Sequence, residues 1–218
     1  MEPNTPLPHK VVAIDGPAAS GKSTVARRLA RRLGFVYVNT GAMYRAVTWL
    51  ALRHGVNPAD APAVNALLDA TPMEFGVTDH ESTLRVEGID PAPFLNDAAV
   101  SANVSLIAAI PHVREVLVAR QREFVREHDL VMEGRDIGSV VFPQTRLKAY
   151  INASEEVRAA RRAAQGIHDN LANRDKIDST RAASPLKIAD GAVMIDSTHL
   201  NIEGVVDEVV RRLELQVL

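Results

Sequence analysis

Residues 11–24 read Val11-Val12-Ala13-Ile14-Asp15-Gly16-Pro17-Ala18-Ala19-Ser20-Gly21-Lys22-Ser23-Thr24. Val11 to Ile14 is a short apolar run that stops at Asp15-Gly16-Pro17, the pattern of a buried strand entering a loop. From Ser23 to Leu33 the residues Val25, Leu29 and Leu33 recur at a spacing of four, and Gly34 follows. That predicts a helix with a glycine stop. Between strand and helix, Gly16 to Ser23 fits G-x-x-x-x-G-K-[ST]. The two glycines let backbone N–H groups curl around an anion without Cβ clashes. The following helix points its positive end at the same anion. Lys22 adds a point charge for the terminal phosphate oxygens, and Ser23 supplies a hydroxyl for Mg²⁺. At ordinary residue frequencies such a match arises by chance in roughly one chain in a hundred of this length. With the flanking strand and helix in place, Gly16, Pro17, Ala18, Ala19, Ser20, Gly21, Lys22, Ser23 and Thr24 are assigned to binding ATP through its phosphates.

The same alternation continues along the chain. Phe35–Val38, Leu130–Glu133, Leu147–Ile151 and Ala192–Asp196 are further short apolar runs, with helical patterns between them. Five such strands predict an α/β fold of the P-loop NTPase type: a parallel five-stranded sheet core flanked by helices on both faces. Residues 71–95 break the rhythm. Met73 to Val77 and Thr83 to Gly88 have a period near two and turn residues between them, as in a small antiparallel insert. Residues 165–185 are polar and weakly patterned, compatible with a long helix or a mobile flap.

Composition narrows the function. The chain has 218 residues, of which 46% are hydrophobic and 24% charged, ordinary for a globular protein. A formal net charge of -2 does not suit a nucleic-acid or anionic-membrane binder, so neither partner is expected. The absence of cysteine excludes disulfides, thiolate nucleophiles and cysteine-ligated metals. No apolar run reaches the length of a membrane span. The opening residues, with an acidic side chain and several prolines, do not resemble a secretory signal, so a cytoplasmic location is expected.

Among phosphate-loop proteins, a switch GTPase would need Asn-Lys-x-Asp and Asp-x-x-Gly, and neither occurs. His-Arg-Asp and Asp-Phe-Gly, the marks of protein kinases, are also missing. A small phosphotransferase remains. Arg45, Arg114, Arg135, Arg174 and Arg181 lie near polar turns, as expected where two phosphates meet and guanidinium groups neutralise them. Arg27, Arg28, Arg31 and Arg32 are instead read as the wet face of the helix after the loop.

Several of these stretches resemble bacterial cytidylate kinases. Asn39-Thr40-Gly41-Ala42-Met43-Tyr44-Arg45 is similar to that family's Ser/Thr-Gly-x-x-Tyr-Arg motif, with Asn39 where Asp is usual. Glu133 to Pro143 resembles its Gly-Arg-Asp stretch, with Glu133 in place of a common Asp. Arg174-Asp175-Lys176-Ile177-Asp178-Ser179-Thr180-Arg181 resembles its lid motif, although the segment before it is short and Ile177 stands where some members have arginine. Val193 to Thr198 is like its closing strand.

The resemblance implies a nucleoside monophosphate kinase fold. A flexible lead-in would cover 1–9, and a single domain 10–218 would comprise a core (10–60, 99–153 and 184–218), a monophosphate-binding insert at about 61–98 and a lid at about 154–183. The implied reaction is transfer of the γ-phosphoryl group of ATP to CMP or dCMP, in a monomer. By resemblance, Lys22, Arg135, Arg174 and Arg181 are catalytic. Thr40, Tyr44, Arg45, Ser105, Arg114, Arg135, Asp136 and Asp178 would bind CMP, with Asp178 on the ribose. Ser23 would hold Mg²⁺, with Glu133 acting on it through water.

The chemistry agrees with these roles. A phosphate monoester has a second pKa near 6 and is mostly dianionic at pH 7, so no general base is needed. Cytosine offers an N4 donor beside N3 and O2 acceptors, which a carboxylate (Asp136) and a guanidinium (Arg114) complement. Uracil would be mismatched against that pair. Another acceptor, such as UMP, AMP or shikimate, and an ATP-binding protein without transfer are the alternatives.

Overall fold

The computed structural model describes residues 6–164, 171–180 and 186–216. All five apolar runs form strands. In chain order, β1 (Val11–Asp15) leads to α1 (Lys22–Leu33), and β2 (Val36–Asn39) leads to α2 (Thr40–Arg53). Helix α3 (Ala61–Ala70) precedes the hairpin of β3 (Met73–Thr78) and β4 (Glu81–Val86). Helices α4 (Ala98–Ala109) and α5 (Pro111–Glu123) return the chain to β5 (Leu130–Gly134) and a π-helical turn at Ile137–Val141. After β6 (Leu147–Asn152) come α6 (Glu155–Ala164) and α7 (Leu171–Thr180), then β7 (Val193–Asp196) and α8 (Ile202–Arg212).

The strand order is β3-β4-β2-β5-β1-β6-β7, and the five strands from β2 to β7 are parallel. The sheet therefore has seven strands and not five. The antiparallel hairpin expected as a separate insert extends the sheet through one parallel pairing, Tyr37 with Glu81. A single pairing leaves no hydrophobic periodicity to read, so sequence cannot show it.

Both faces of β1 are buried, which is why its sequence is apolar without alternation. Val11 and Ala13 join one core cluster with residues of α2, α4 and α5. Val12 and Ile14 join the other, against α1 and α8. Gly34 ends α1 in the left-handed region (φ +68°), and its N–H reaches back to Ala30 and Arg31 carbonyls. Along the outer face of α1, Arg27 and Arg31 pair with Glu81, Arg28 with Glu203 and Arg32 with Asp207. The arginine face of that helix is a solvated ion-paired surface, as its spacing predicts.

The end of the lead-in is held down: Leu7 packs on the first cluster, and the Lys10 N–H donates to Asp129 Oδ1 at 2.7 Å. Among the described residues, no single helix is long and apolar enough to cross a membrane.

Candidate active site

The carboxyl ends of the parallel strands meet the N-terminus of α1, and the phosphate loop closes that junction. Gly16 has φ +153°, and a Cβ there would stand 2.1 Å from the Ile151 carbonyl oxygen. Gly21 caps α1 at φ +88°, and Ala19 enters the left-handed region at φ +59°. These conformations turn the backbone amides inward. Lys22 is buried, with its Nζ donating to the Pro17 carbonyl at 3.0 Å and lying 3.9 Å from Glu133 Oε2. The lysine is thus folded over its own loop and faces a carboxylate at the end of β5.

Two cavities meet at this loop and share Ala19, Lys22, Ser23 and Arg162. One, of about 480 Å³, brings together the residues that the resemblance assigns to CMP. Thr40, Tyr44 and Arg45 come from α2, Ser105 from α4, Arg114 from α5 and Asp178 from α7. Gly134, Arg135 and Asp136 come from the end of β5 and the turn after it.

Here Arg114 pairs with Asp136, both buried, and its guanidinium lies 5.5 Å from the Tyr44 ring centroid. Its other amino group donates to the Ala108 carbonyl at 3.3 Å. Arg135 Nε donates to Asp178 Oδ2 at 3.0 Å, and Ser105 Oγ donates to Asp178 Oδ1 at 3.4 Å. Arg45 donates to the Leu95 carbonyl at 2.7 Å and Ser101 Oγ at 3.0 Å. Thr40 Oγ1 donates to the Glu133 carbonyl at 2.8 Å, tying α2 to β5. Asn39 caps α2, its Oδ1 accepting the Ala42 N–H at 3.0 Å, a task that needs no negative charge.

The buried charges at the site shift one another. Burial pulls the Arg135 guanidinium down, but Asp178, Glu133 and Asp175 more than offset it, so its pKa lies above the usual arginine value. Asp15, at the end of β1, has the opposite problem. Burial pushes its carboxyl up to about 6, against two backbone N–H bonds and Arg135 that lower it, while Asp136 raises it further.

The second cavity, of about 450 Å³, contains Ser20, Gly21, Lys22, Ser23 and Thr24 and faces Arg161, Arg162, Ser197 and Leu200. Residues of α6 that drew no assignment from sequence reach the loop here. Arg158 donates to the Ala18 carbonyl at 3.2 Å and pairs with Asp175 of α7, whose Oδ1 accepts the Ala18 N–H at 3.4 Å. Arg161 donates to the Ser20 carbonyl at 3.2 Å and the Ser197 carbonyl at 2.8 Å. Arg162 is almost fully buried between the cavities. The readable signal is Arg158-x-x-Arg161-Arg162, three guanidinium groups at helical spacing directly after a core strand. Arg174 lies on α7, four residues before Asp178. Arg181 lies outside the described residues.

Oxygen donors for a hard cation are few. Ser23 and Glu133 line the first cavity beside Lys22, and among the described residues no group of three or more His, Asp or Glu side chains is placed to hold a metal ion.

Comparison with known proteins fits this geometry. A family model described as cytidylate kinase matches residues 12–215. A cytidylate kinase of Streptococcus pneumoniae (strain 70585) is 46% identical over 210 residues, covering 91% of this chain and 94% of that protein. One from Nocardia farcinica is 41% identical over 229 aligned residues, covering 100% of this chain and 97% of that protein. Among solved structures, a gluconokinase from Sinorhizobium meliloti 1021 superposes with TM-score 0.51 at 15% identity, covering 96% of this chain and 94% of that one. The Deinococcus radiodurans tunicamycin resistance protein gives 0.50 at 15% identity, covering 96% of this chain and 98% of that one. Those two show a shared fold only. The family match over nearly the whole chain, with relatives above 40% identity that cover more than nine-tenths of it, shows that this protein belongs to the cytidylate kinase family.

Proposed function

We propose that the protein transfers the γ-phosphoryl group of ATP to CMP or dCMP, giving ADP and CDP or dCDP, as a step of pyrimidine nucleotide metabolism in the cytoplasm. The observation that carries the reading is the buried Arg114–Asp136 pair beside Tyr44 and Ser105, facing the phosphate loop across one cavity. Asp136 accepts from the cytosine N4 amino group, and Arg114 donates to N3 or O2. Uracil reverses the donor at O4 and N3 and leaves both groups mispaired, which is costly in a dry site. Ser105 can donate or accept, and Asp178 contacts the ribose. The reading carries with it a division into a core, a monophosphate-binding insert at about 61–98 and a lid at about 154–183.

In the reaction, a terminal oxygen of the acceptor phosphate attacks the γ-phosphorus, and the bond to the ADP oxygen breaks. The nucleophile is already ionised at pH 7, so catalysis is positioning and charge neutralisation. Arg45 and Arg135 hold the acceptor phosphate. Lys22 and the amides of Gly16–Thr24 hold the donor. Arg174 and Arg181 neutralise the transferred group as the lid covers it, and the covered site excludes water that would otherwise hydrolyse ATP. The donor set at Ser23 and Glu133 fits Mg²⁺ that arrives with the nucleotide and keeps most of its water shell. When bound, Mg²⁺ offsets charge on the donor phosphates.

An ADP-release assay with ATP and Mg²⁺, comparing CMP, dCMP, UMP, AMP and no acceptor, tests the reading. Turnover with CMP and dCMP and little with UMP is the expected result. Preference for another acceptor would discard the base site while keeping the phosphate loop. Asp136→Asn should narrow the CMP-to-UMP preference by about 10-fold or more, because an amide can donate to O4. An unchanged ratio would refute Asp136 as a base-reading residue.

A further inference from the structure

One buried carboxylate near the site has no role in the chemistry above. Asp15 is the last residue of β1 and directly precedes Gly16, the first residue of the phosphate loop. Its side chain is only 3% exposed, and among the described residues it forms no ion pair. Instead its two oxygens divide two backbone donors: Oδ1 accepts the Ile137 N–H at 2.8 Å, and Oδ2 accepts the Gly138 N–H at 2.8 Å. Those amides open the π-helical turn Ile137–Val141. The two residues immediately before the turn are Arg135 and Asp136, which line the acceptor cavity. The far end of the turn is held from α5, where Arg122 donates to the carbonyls of Val140 at 2.8 Å and Val141 at 3.0 Å.

We propose that Asp15 is a positioning residue for phosphoryl transfer: its carboxylate ties the start of the phosphate loop to the turn after Asp136, and so sets the distance between donor phosphates and acceptor-binding side chains. Capping a turn does not require a buried anion, since serine or asparagine accepts a backbone N–H at far smaller desolvation cost. A carboxylate offers a separate acceptor oxygen to each of two adjacent N–H groups in one rigid plane, as Oδ1 and Oδ2 do here. Rigid bidentate attachment is what a reaction governed by approach distance needs, because a displacement of about 1 Å in the reacting groups costs on the order of 100-fold in rate. The inference rests on the assignment of Arg135 and Asp136 to the acceptor.

The test is Asp15→Asn. The variant keeps size and one acceptor oxygen, but its amide nitrogen faces an N–H donor and cannot bond it. Expected are a kcat lowered on the order of 100-fold, a KM for CMP raised at least 10-fold, and a KM for ATP within twofold of the parent. An unchanged kcat, or equal increases in both KM values, would overturn the role. Amide hydrogen exchange on the unaltered protein supplies an arm that needs no folded variant. ATP alone should slow exchange at Ile137 and Gly138 at least 10-fold, because Asp15 carries the ordering of the loop to those amides, and slowing by CMP with none by ATP would overturn the role. The parent enzyme's acceptor profile separates the two readings: if it prefers another monophosphate, the base assignment fails, and the Asp15 prediction is then read on that acceptor's KM.

Discussion

Lys22 and Asp15 are a few residues apart and illustrate how differently two buried charges are used. Lys22 bonds its own loop at Pro17 and faces Glu133, where the proposed function places the donor phosphates. Lys22→Ala should lower kcat/KM by about 1000-fold or more with a thermal transition little changed, because positioned charge is the main catalytic resource of such a site. Near-normal turnover by that variant would remove the phosphate loop from the mechanism. Asp15 has a carboxyl raised from 3.8 to about 6, with burial the largest cause. Between those values the folded chain keeps a proton that the unfolded chain has lost. The group's contribution to stability therefore falls as pH rises through that window, by on the order of 3 kcal/mol in total. Asp15→Asn lacks this titration. The stability of the parent relative to that variant, from urea unfolding at several pH values, should decline from pH 4 to pH 7, and a flat difference would contradict the shift. Sequence shows Lys22 through a spaced motif. Asp15 looks like an ordinary residue of a strand-ending turn, since its partners are amides more than a hundred residues away.

At the level of elements, β1 and β5 are legible because strands buried on both faces must be apolar throughout, while β2, β6 and β7 show as short apolar runs between helical patterns. The hairpin is legible as a period of two, but its attachment to β2 rests on one residue pair and leaves no trace in composition. Helix α6 is the clearest gap. A row of arginines on a helix reads the same whether it faces water, as on α1, or a phosphate loop, as here, and only the packing of β6 against β1 decides between them. The end of β5 carries a tighter constraint. A Cβ at Gly134 would stand 2.6 Å from Thr40 Oγ1 and 2.7 Å from Ile137 Cδ1, so strand, helix and turn converge there with no room to spare. Gly134→Ala should cost about 1–3 kcal/mol of stability and raise the KM for CMP, because relief requires Ile137 to leave its rotamer and Thr40 to shift from its bond to the Glu133 carbonyl. Chemical denaturation paired with steady-state kinetics checks both parts, and an unchanged KM would show that the strain is absorbed without shifting Arg135.

For the whole molecule, two cavities share the phosphate loop, and under the proposed function the two substrates would stabilise one folded unit from either side. A saturating ligand at about 100 times its Kd adds about 2.7 kcal/mol. In a chain of this size each kcal/mol raises Tm by roughly 2–4 °C. CMP and a non-hydrolysable ATP analogue should each raise the melting temperature by several degrees, and together by at least the sum. A shift with the ATP analogue and none with CMP would place the acceptor elsewhere. Four motifs in the right order made the family visible from sequence, since each carries a local geometric demand. The arginines and carboxylates that cross between α6, α7 and the loop became visible only in three dimensions, because their partners are set by topology.

Gly16 carries a last consequence. Its missing side chain answers first to the Ile151 carbonyl of the neighbouring strand, 2.1 Å from where a Cβ would sit, and only second to any nucleotide. A descendant of this gene that had lost its catalytic role would be free to drift at Lys22, yet an alanine at Gly16 would still break the sheet. In such lineages the glycine testifies to ancestry of fold, and the lysine alone to surviving chemistry.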